Sequence, residues 1–488
     1  MDFTWTAILA LICIFIFMTR NTTSRRCHLP PGPTPLPLIG SLLHIQRGAL
    51  VPSLFKLWDQ YGSVYTLYLG SKPAVVLCGY ETVKEALVDR RDEFGGRGPI
   101  PVLERFTQGY GFILNNGKQW NILRNFTMKN FGFGKKSSEW KIRKEAQCVV
   151  EEFRKLNGRP VDPTKKLMDA FSNVLCSMVF GERFEYEDER FTKLLRIMNE
   201  SLHFTGSTWA QLLSVLPLTK HFPGPHQRIT QLLDEMIEFI HEMVKASQES
   251  LDPSAPRHFI DSFLIKMEEE KNDPDTEFHL KNLLIVTHNL LIVGSEIVST
   301  TLKYGLLTLL KYPEIQAKLH KEIDHVIGRD REPNYDDRLH MPYTQAVINE
   351  IQRFCDVAPL NVPHMVTRDV QFRGYEIPKG TEIYPLLCTV HRDPKQFASP
   401  WKFDPNHFLD ENGKFKRNDA MMAFSAGKRM CPGEALARME LFLFLTTILQ
   451  SFTLTSPTGL EESDVVPRLA GFLNSPMDYE LSFVQRDI

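Results

Sequence analysis

The sequence predicts a mainly α-helical protein with minor β structure behind an N-terminal membrane anchor. Three observations lead to this prediction. An uncharged and mostly apolar run opens the chain. A helical pattern of about 35 residues, well beyond the average helix length, lies in its second half and is apolar on nearly every side. Strand patterns are short and few.

The composition is that of an ordinary globular protein. The chain has 488 residues, of which 43% are hydrophobic and 24% charged. The net charge of −2 gives no reason to expect a nucleic-acid partner. The 8 cysteines are scattered and show no zinc-ligand spacing, which argues against a disulfide framework and favours a reducing compartment. Length alone would suggest several domains of roughly 150 residues.

Residues 1–20 are predicted to be a transmembrane anchor. The apolar run from Phe3 to Thr19 would span roughly 26 Å as a helix, close to the thickness of the endoplasmic reticulum bilayer at about 27 Å. A cleaved signal peptide is the competing interpretation, but the basic residues follow the apolar run instead of preceding it. The positive-inside rule then leaves the body of the protein on the cytosolic side of the endoplasmic reticulum membrane.

Residues 21–40 are predicted to be a basic and proline-rich linker, followed by the globular body at residues 41–488. The segment 29–37, LPPGPTPLP, contains too much proline for a helix. It is interpreted as a stiff, extended spacer that holds the body away from the membrane.

Several elements of the body follow from local patterns. A hairpin is predicted around a Gly-Ser-Lys-Pro turn, and the long apolar helix is predicted to start at Thr276 or Glu277 and to stop at Lys311, before Pro313. Most of the remainder has helical patterns. The predicted hairpin spans 64–78. The other predicted elements are short strands at 370–377 and 382–387, and a last helix at 432–450.

The most informative segment is 424–434, FSAGKRMCPGE, a glycine-containing loop that leads into a helix. Pro432 suits the first helical position, which would place Cys431 at the N-cap. The amides and dipole of a helix start favour a thiolate, and a thiolate is a strong axial ligand of haem iron. Gly427 and Gly433 would let the backbone approach a flat macrocycle, and Arg429 could pair with a carboxylate of that macrocycle. The alternative is a buried structural cysteine that caps a helix.

This segment resembles the haem-binding signature of the cytochrome P-450 superfamily of haem-thiolate monooxygenases, F-x-x-G-x-R-x-C-x-G. Its fixed positions are filled by Phe424, Gly427, Arg429, Cys431 and Gly433. The resemblance covers nearly the whole chain, and the segments 360–364 and 372–375 are most similar to the vertebrate microsomal family 2. It implies the cytochrome P-450 fold, with one large haem domain behind the anchor. It also implies haem b (iron protoporphyrin IX), with Cys431 as the axial ligand.

Further motifs match the family. Glu350 and Arg353 occupy its E-x-x-R motif, and His407 stands where many members have arginine; the resemblance implies that these three lock the core on the haem side. Trp120 and Arg124 look like the W-x-x-x-R motif that holds the haem propionates. By resemblance, Arg97 and His364 join them, because a buried pair of carboxylates without cations would be costly.

The long helix departs from the family in one segment. The family pattern A/G-G-x-D/E-T-T is represented by Gly294 and Glu296, but Val293 replaces the alanine and Ile297 replaces the oxygen-activating threonine. Ile297 cannot donate a hydrogen bond, and splitting O2 needs protons. Three interpretations stay open: waters or a substrate hydroxyl deliver the protons, Glu296 delivers them through a distorted turn, or the enzyme rearranges peroxides.

The resemblance also implies a substrate pocket, a membrane location and partners. The pocket would take a lipophilic substrate. Its candidate residues are Val102, Leu103, Phe106, Ile113, Phe204, Leu290, Val293, Ile297, Leu360, Val362, Phe472 and Leu473. The family's basic proximal face, which receives an acidic flavoprotein, resembles a cluster formed by Lys129, Lys135, Lys136, Lys141, Arg143, Lys144 and Lys428. NADPH–cytochrome P-450 reductase is the expected electron donor, with a microsomal b-type cytochrome as a second candidate.

Three functional hypotheses follow. The first is a monooxygenase of the unspecific type, which inserts one oxygen atom from O2 into a fatty acid, steroid or xenobiotic. The second is a hydroperoxide isomerase or dehydratase on the same fold, suggested by Ile297. The third is a non-enzymatic haem sensor or carrier. Dependence on NADPH separates the first hypothesis from the second, because a rearrangement consumes no reducing equivalents.

Overall fold

Helices dominate the part of the chain that the structure, a computed structural model, describes. It describes residues 29–46, 49–98, 100, 107–132, 136–205, 224–457, 459–461, 464–470 and 473–486. The helices are α1 (Leu50–Tyr61), α2 (Tyr80–Lys84), α3 (Gly117–Asn130), α4 (Lys136–Arg154), α5 (Thr164–Val179), α6 (Glu189–Thr205), α7 (His226–Glu249), α8 (Phe259–Glu269), α9 (Leu280–Lys311), α10 (Pro313–Val326), α11 (Pro342–Cys355), α12 (Leu387–His391) and α13 (Glu434–Ser451). A π-helical turn, Glu85–Asp89, continues α2.

The strands are short, as predicted, and form small sheets. They are β1 (Val64–Leu69), β2 (Lys72–Leu77), β3 (His364–Met365), β4 (Val370–Phe372), β5 (Tyr375–Ile377), β6 (Glu382–Pro385), β7 (Phe452–Thr455), β8 (Arg468–Ala470), β9 (Leu473–Ser475) and β10 (Ser482–Gln485). The largest sheet has the order β1-β2-β6-β3, with β1 and β2 antiparallel and β2 and β6 parallel. The hairpin predicted at 64–78 is confirmed. The strand predicted at 382–387 ends earlier, because Leu387 begins α12.

Helix α9 runs through the core, as the apolar side chains on nearly every side of it predict. It has 32 residues and packs against α5, α7, α11 and α13. The predicted end at Lys311 is confirmed, but the predicted start is wrong. The Thr276 hydroxyl donates to Glu270 and accepts from the Phe278 amide, so it serves the preceding turn, and His279 is the N-cap. The helix is long and apolar enough to cross a membrane, yet most of it is buried in the protein.

The proline-rich segment is packed against the body over its described residues. The Thr66 hydroxyl donates to the Pro30 carbonyl and the Thr66 amide donates to the Pro31 carbonyl, each at 2.8 Å. A Cβ atom on Gly32 would lie 1.9 Å from the Thr66 carbonyl oxygen, so glycine is required for this contact. From Pro30 onward, the segment that was interpreted as a stiff, extended spacer is therefore attached to the body. The predicted anchor at residues 1–20 lies outside the described residues.

Candidate functional site

The loop that carries Cys431 is tightly folded between β-rich and helical parts of the body. A 3-10 turn, Gly427–Arg429, precedes the cysteine, whose amide donates to the Phe424 carbonyl at 2.9 Å. Helix α13 begins only at Glu434, with Gly433 as its N-cap. The predictions that Pro432 opens the helix and that Cys431 caps it are therefore wrong by two residues.

The environment of the Cys431 sulfur still resembles a helix start. Burial raises the pKa of the thiol. The backbone amides of Gly433 and Glu434, together with the Arg124 charge, lower this pKa, whereas the Glu434 carboxylate raises it. The sulfur thus faces two N–H donors and a cation, the surroundings that stabilise an anion.

Gly427 is required by a protein contact. Its φ is +69°, and a Cβ atom there would lie 1.6 Å from the Leu87 carbonyl oxygen in the π-helical turn Glu85–Asp89. The sequence suggested instead that this glycine gives room to a macrocycle. The structure therefore assigns Gly427 a second and sufficient reason to lack a side chain: the Cys431 loop rests on the backbone of that turn.

Three buried donors converge beside the loop. Arg97 and Arg429 are 7% exposed and His364 is 1% exposed. Gly96 and Met365 exchange backbone hydrogen bonds of 3.1 and 2.9 Å, which brings the Arg97 segment against β3, where His364 lies. The Arg97 guanidinium donates to the carbonyls of Val362 and Pro363. The Arg429 guanidinium donates to the Gly95 and Asn115 carbonyls.

Arg97 and Arg429 lack an anionic partner among the described residues. Burial, followed by the charges of Arg429 and Arg124, lowers the pKa of Arg97 to about 9. Burial, followed by Arg124, lowers the pKa of Arg429 to about 9. Burial, followed by Arg97, holds the pKa of His364 well below its usual value. Arg97 Nε, Arg429 Nη1 and His364 Nε2 are buried without a hydrogen-bond partner in the part of the chain that the structure describes.

This donor set fits the two propionates of a haem. Buried guanidinium groups that repel one another are costly unless an anion neutralises them. A pair of carboxylates would accept from Arg97 Nε and Arg429 Nη1, and from His364 Nε2 once a nearby carboxylate has favoured protonation of that imidazole, because its Nδ1 already donates to the Phe94 carbonyl. The next cation, Arg124, donates to the Met430 carbonyl at 2.6 Å. The residues present therefore fit the group that the Cys431 loop implies.

Trp120 supports one of these cations. The Arg429 guanidinium lies 4.0 Å from the centre of its indole ring, and that of Arg124 lies at 5.7 Å. Such stacking stabilises a desolvated guanidinium by about 2 kcal/mol. The predicted direct role of Trp120 in holding a propionate stays a prediction, and the contact with Arg429 is an additional one.

Two asparagines of the site were not identified from the sequence. Asn116 Oδ1 accepts from the Arg97 amide at 2.8 Å and from Arg429 Nη2 at 2.9 Å, so it joins the two arginines. Asn361 Nδ2 donates to the Ser425 hydroxyl at 3.0 Å and so ties the His364 segment to the Cys431 loop. The only signal for Asn116 was its position immediately before the Trp120 helix.

Glu350, Arg353 and His407 are brought together in the core beneath the loop. Glu350 and Arg353 are fully buried and form a bidentate pair with two distances of 2.7 Å. His407 Nδ1 lies 3.2 Å from both carboxylate oxygens of Glu350. The Arg353 guanidinium also donates to the carbonyls of His391, Pro400 and Lys402, three positions of the loop-rich stretch that precedes the Cys431 loop.

The segment of α9 that departs from the family is α-helical throughout, so the distorted turn considered for Glu296 is not observed. Gly294 packs against α5, because a Cβ atom there would lie 2.7 Å from Leu175 Cδ1. Glu296 and Ile297 are partly buried. Val293 is 41% exposed although it lies in the middle of a buried helix.

The predicted pocket residues have mixed environments. Val293 and Val362 are exposed apolar side chains, whereas Leu290 and Leu360 are buried in apolar clusters. Ile113, Phe204, Ile297 and Leu473 are partly buried against the main core. The other predicted positions, Val102, Leu103, Phe106 and Phe472, lie outside the described residues.

A mainly helical fold with a cysteine loop and a cluster of buried cations defines a haem-thiolate protein. Comparison with known proteins agrees. The Cytochrome P450 family model matches residues 30–483. Cytochrome P450 2G1 of Rattus norvegicus is 52% identical over 482 residues, which cover 98% of each chain.

Two further relatives are similar over their whole length. Cytochrome P450 2A4 of Mus musculus is 50% identical over 98% of this chain and 97% of its own, and Cytochrome P450 2B4 of Oryctolagus cuniculus is 47% identical over 100% of each. The chain belongs to the cytochrome P450 family and is most similar to its microsomal family 2. It is a haem b monooxygenase with a cysteine thiolate ligand, and the predicted fold class is confirmed.

Proposed function

We propose that this enzyme is anchored in the endoplasmic reticulum membrane and inserts one oxygen atom from O2 into lipophilic small molecules, with electrons from NADPH delivered by a flavoprotein reductase. The haem would be held by Cys431 through its sulfur and by Arg97, Arg429, His364 and Arg124 through its propionates. The observation that carries the proposal is the cluster of unneutralised buried cations beside the Cys431 loop. The haem, when bound, supplies the chemistry of O–O bond cleavage.

The residues of the chain have separate tasks in this function. The Gly433 and Glu434 amides stabilise negative charge on the sulfur. Arg97 and Arg429 would orient the haem through charge-assisted hydrogen bonds, and Asn116 ties the backbone of Arg97 to the guanidinium of Arg429. Apolar side chains of α9 and of the loop before β3, among them Val293 and Val362, would bind the substrate and exclude water.

The membrane location is supported by the surface that follows the predicted anchor. Leu36, Leu38, Leu42 and Leu43 are exposed, and Leu43 is 73% exposed. Four large apolar side chains within eight residues are unfavourable in water but suit the interfacial region of a bilayer. A substrate dissolved in the lipid would then reach the protein without crossing much water.

The surface expected to receive the reductase is less basic than the sequence suggested. Arg143 pairs with Glu332 at 2.6 Å and Lys428 pairs with Asp92 at 2.9 Å. Lys141 donates to the Ser177 carbonyl, and its burial lowers its pKa. Lys135 lies outside the described residues.

A groove of about 540 Å³ beside Phe424 and Met430 offers a second set of cations. The cations that line it are Lys84, Arg338, Arg417 and Arg438, and each of them is also paired with a neighbouring carboxylate. Because this groove borders the Cys431 loop, an acidic flavoprotein bound there would have a short path for electron transfer. We propose that this groove and the basic cluster predicted from the sequence together form the reductase surface, because both border the Cys431 loop through Lys428 or Met430.

Reductase dependence tests the proposed function. Full-length protein in membranes is supplied with a long-chain fatty acid, a steroid and an alkoxy-aromatic dye as probes. We expect oxygenated product from at least one probe only when NADPH, reductase and O2 are all present, because O2 cleavage consumes two electrons. Membranes with reductase alone are the control. Rearrangement of a lipid hydroperoxide without NADPH, together with no NADPH-dependent product, would overturn the proposal.

Hydroperoxide rearrangement is the second candidate, and Ile297 is the observation that favours it. A hydroperoxide brings its own O–O bond and needs no protons from α9. The hydroxyl of Thr301, one turn further along, does not replace the missing one directly, because it donates to the Ile297 carbonyl at 2.7 Å.

Restoring the family threonine gives a separate prediction. If proton delivery is impaired at this position, Ile297→Thr lowers the amount of hydrogen peroxide released per NADPH consumed, by about fivefold for one hydrogen bond of about 1 kcal/mol. Peroxide release and NADPH oxidation are measured together, with Ile297→Val, which has the shape of threonine but no hydroxyl, as the control. Unchanged release in the Ile297→Thr variant would contradict the prediction.

A further inference from the structure

The hydroxyl groups around Ile297 differ in what they bind. Ser295 donates to the Leu291 carbonyl, Ser299 to the Glu296 carbonyl and Thr301 to the Ile297 carbonyl. These three hydroxyls therefore satisfy the helix backbone, as serine and threonine commonly do within helices. The fourth, Thr300, donates to Glu296 Oε1 at 3.3 Å.

The contact between Thr300 and Glu296 lies on the face of α9 that also presents Val293. Residues 293, 296 and 300 are separated by three and four positions, so their side chains follow one stripe of the helix. Thr300 is 8% exposed, so its hydroxyl has limited access to water. In such surroundings a hydrogen bond to a carboxylate is stronger than in water and restricts the rotamers of the acid.

We propose that Thr300 is a positioning residue for Glu296, and that it takes over part of the hydrogen-bonding task that a hydroxyl at position 297 would otherwise perform. The inference rests on the proposed monooxygenase function. Thr300 touches neither haem nor substrate in this proposal; it acts by holding the Glu296 carboxyl in one orientation on the stripe that includes Val293. The site has therefore kept an acid–alcohol pair, with the alcohol moved from position 297 to position 300.

The Glu296–Thr300 pair would affect whether the electrons from NADPH end in product or in hydrogen peroxide. The productive reaction is RH + O2 + NADPH + H⁺ → ROH + H2O + NADP⁺, and the unproductive one is O2 + NADPH + H⁺ → H2O2 + NADP⁺. Glu296 would hold the proton that O–O cleavage consumes and would regain one from solvent, while Thr300 only donates a hydrogen bond and loses no proton. A misplaced carboxyl would thus divert electrons from product to peroxide without changing their supply.

The test compares two threonines one position apart. Thr300→Val keeps the shape and removes the donor, and Thr301→Val makes the same change at a hydroxyl that binds only the backbone. We expect Thr300→Val to raise peroxide release per NADPH by about fivefold, the equivalent of one hydrogen bond. Thr301→Val should leave this ratio unchanged. Thr300→Ser, which keeps the hydroxyl, should release as little peroxide per NADPH as the wild type. Adding Ile297→Thr to Thr300→Val should lower the raised ratio again.

Two further measurements exclude a merely structural effect. Turnover driven by an added organic hydroperoxide, which bypasses the protons needed to split O2, should be equal in the wild type and Thr300→Val. The infrared stretching band of carbon monoxide bound to the reduced protein reports polar groups near the iron. It should shift in Thr300→Val and in Glu296→Gln, but not in Thr301→Val.

The outcomes separate this inference from the proposed function. Equal peroxide release and equal infrared bands in Thr300→Val and Thr301→Val would overturn the role of Thr300, even if NADPH-dependent product is formed. If the wild type forms no NADPH-dependent product, the proposed function fails. The infrared comparison then still decides whether Thr300 positions Glu296.

Discussion

Cys431→Ser is expected to abolish the thiolate-type absorption band of the reduced protein with carbon monoxide and to remove all NADPH-dependent oxygenation. A serine hydroxyl gives up its proton far less readily than a thiol, so the electron donation by a thiolate that promotes O–O cleavage would be lost. Haem itself should still bind, because the buried cations are unchanged. The difference spectrum with carbon monoxide measures the first effect after haem supplementation.

Cys148→Ser is the matched control for this prediction. Cys148 is a partly buried cysteine of α4, and burial raises its pKa, as expected of a structural thiol. This variant should keep both the absorption band and the activity. A thiolate-type band retained by Cys431→Ser would show that another residue binds the iron, and the assignment of the whole site would have to be abandoned.

Glu350→Gln is expected to lower the free energy of unfolding by about 3–5 kcal/mol, because it leaves the guanidinium of Arg353 buried without a counter-ion. Arg353 is 0% exposed and donates five hydrogen bonds, two of them to Glu350. The carboxylate of Glu350 also accepts from the Asp404 amide at 2.7 Å. Equilibrium unfolding in urea measures the change, and haem release during unfolding reports whether the Cys431 loop loosens as well.

An exposed pair supplies the control for the buried one. Arg196 and Glu200 are four residues apart on α6 at 2.9 Å, and their side chains are 47% and 39% exposed. Glu200→Gln should cost less than about 1 kcal/mol, because water screens the charges. A similarly small loss for Glu350→Gln would contradict the role assigned to the Glu350–Arg353 pair.

Much of the site was predictable because its signals are local. The spacing from Phe424 to Gly433, the E-x-x-R motif and the all-round apolar character of α9 each depend on a few neighbouring residues. Such local patterns predict the structure of their own segment without knowledge of distant contacts. The hairpin of β1 and β2 was predictable for the same reason, since its turn residues lie between two β-rich runs.

Features that depend on contacts between distant segments could not be predicted. The residues next to Gly427 do not indicate its contact with the Leu87 carbonyl. The residues next to Thr66 do not indicate its hydrogen bonds to Pro30 and Pro31. The same holds for Asn116, which joins Arg97 to a guanidinium more than 300 positions away. The helix start after Cys431 was misplaced because a proline that suits the first helical position suits a turn equally well.

The docking of Pro30 and Pro31 on Thr66 shortens the segment that can connect a membrane anchor to the body of the enzyme. If residues 1–20 anchor the chain, only residues 21–28 connect the anchor to a rigidly attached segment. Eight residues reach at most about 28 Å at full extension. The body would therefore tumble within a shallow layer above the lipid, and the exposed leucines from Leu36 to Leu43 would meet headgroups far more often than bulk water.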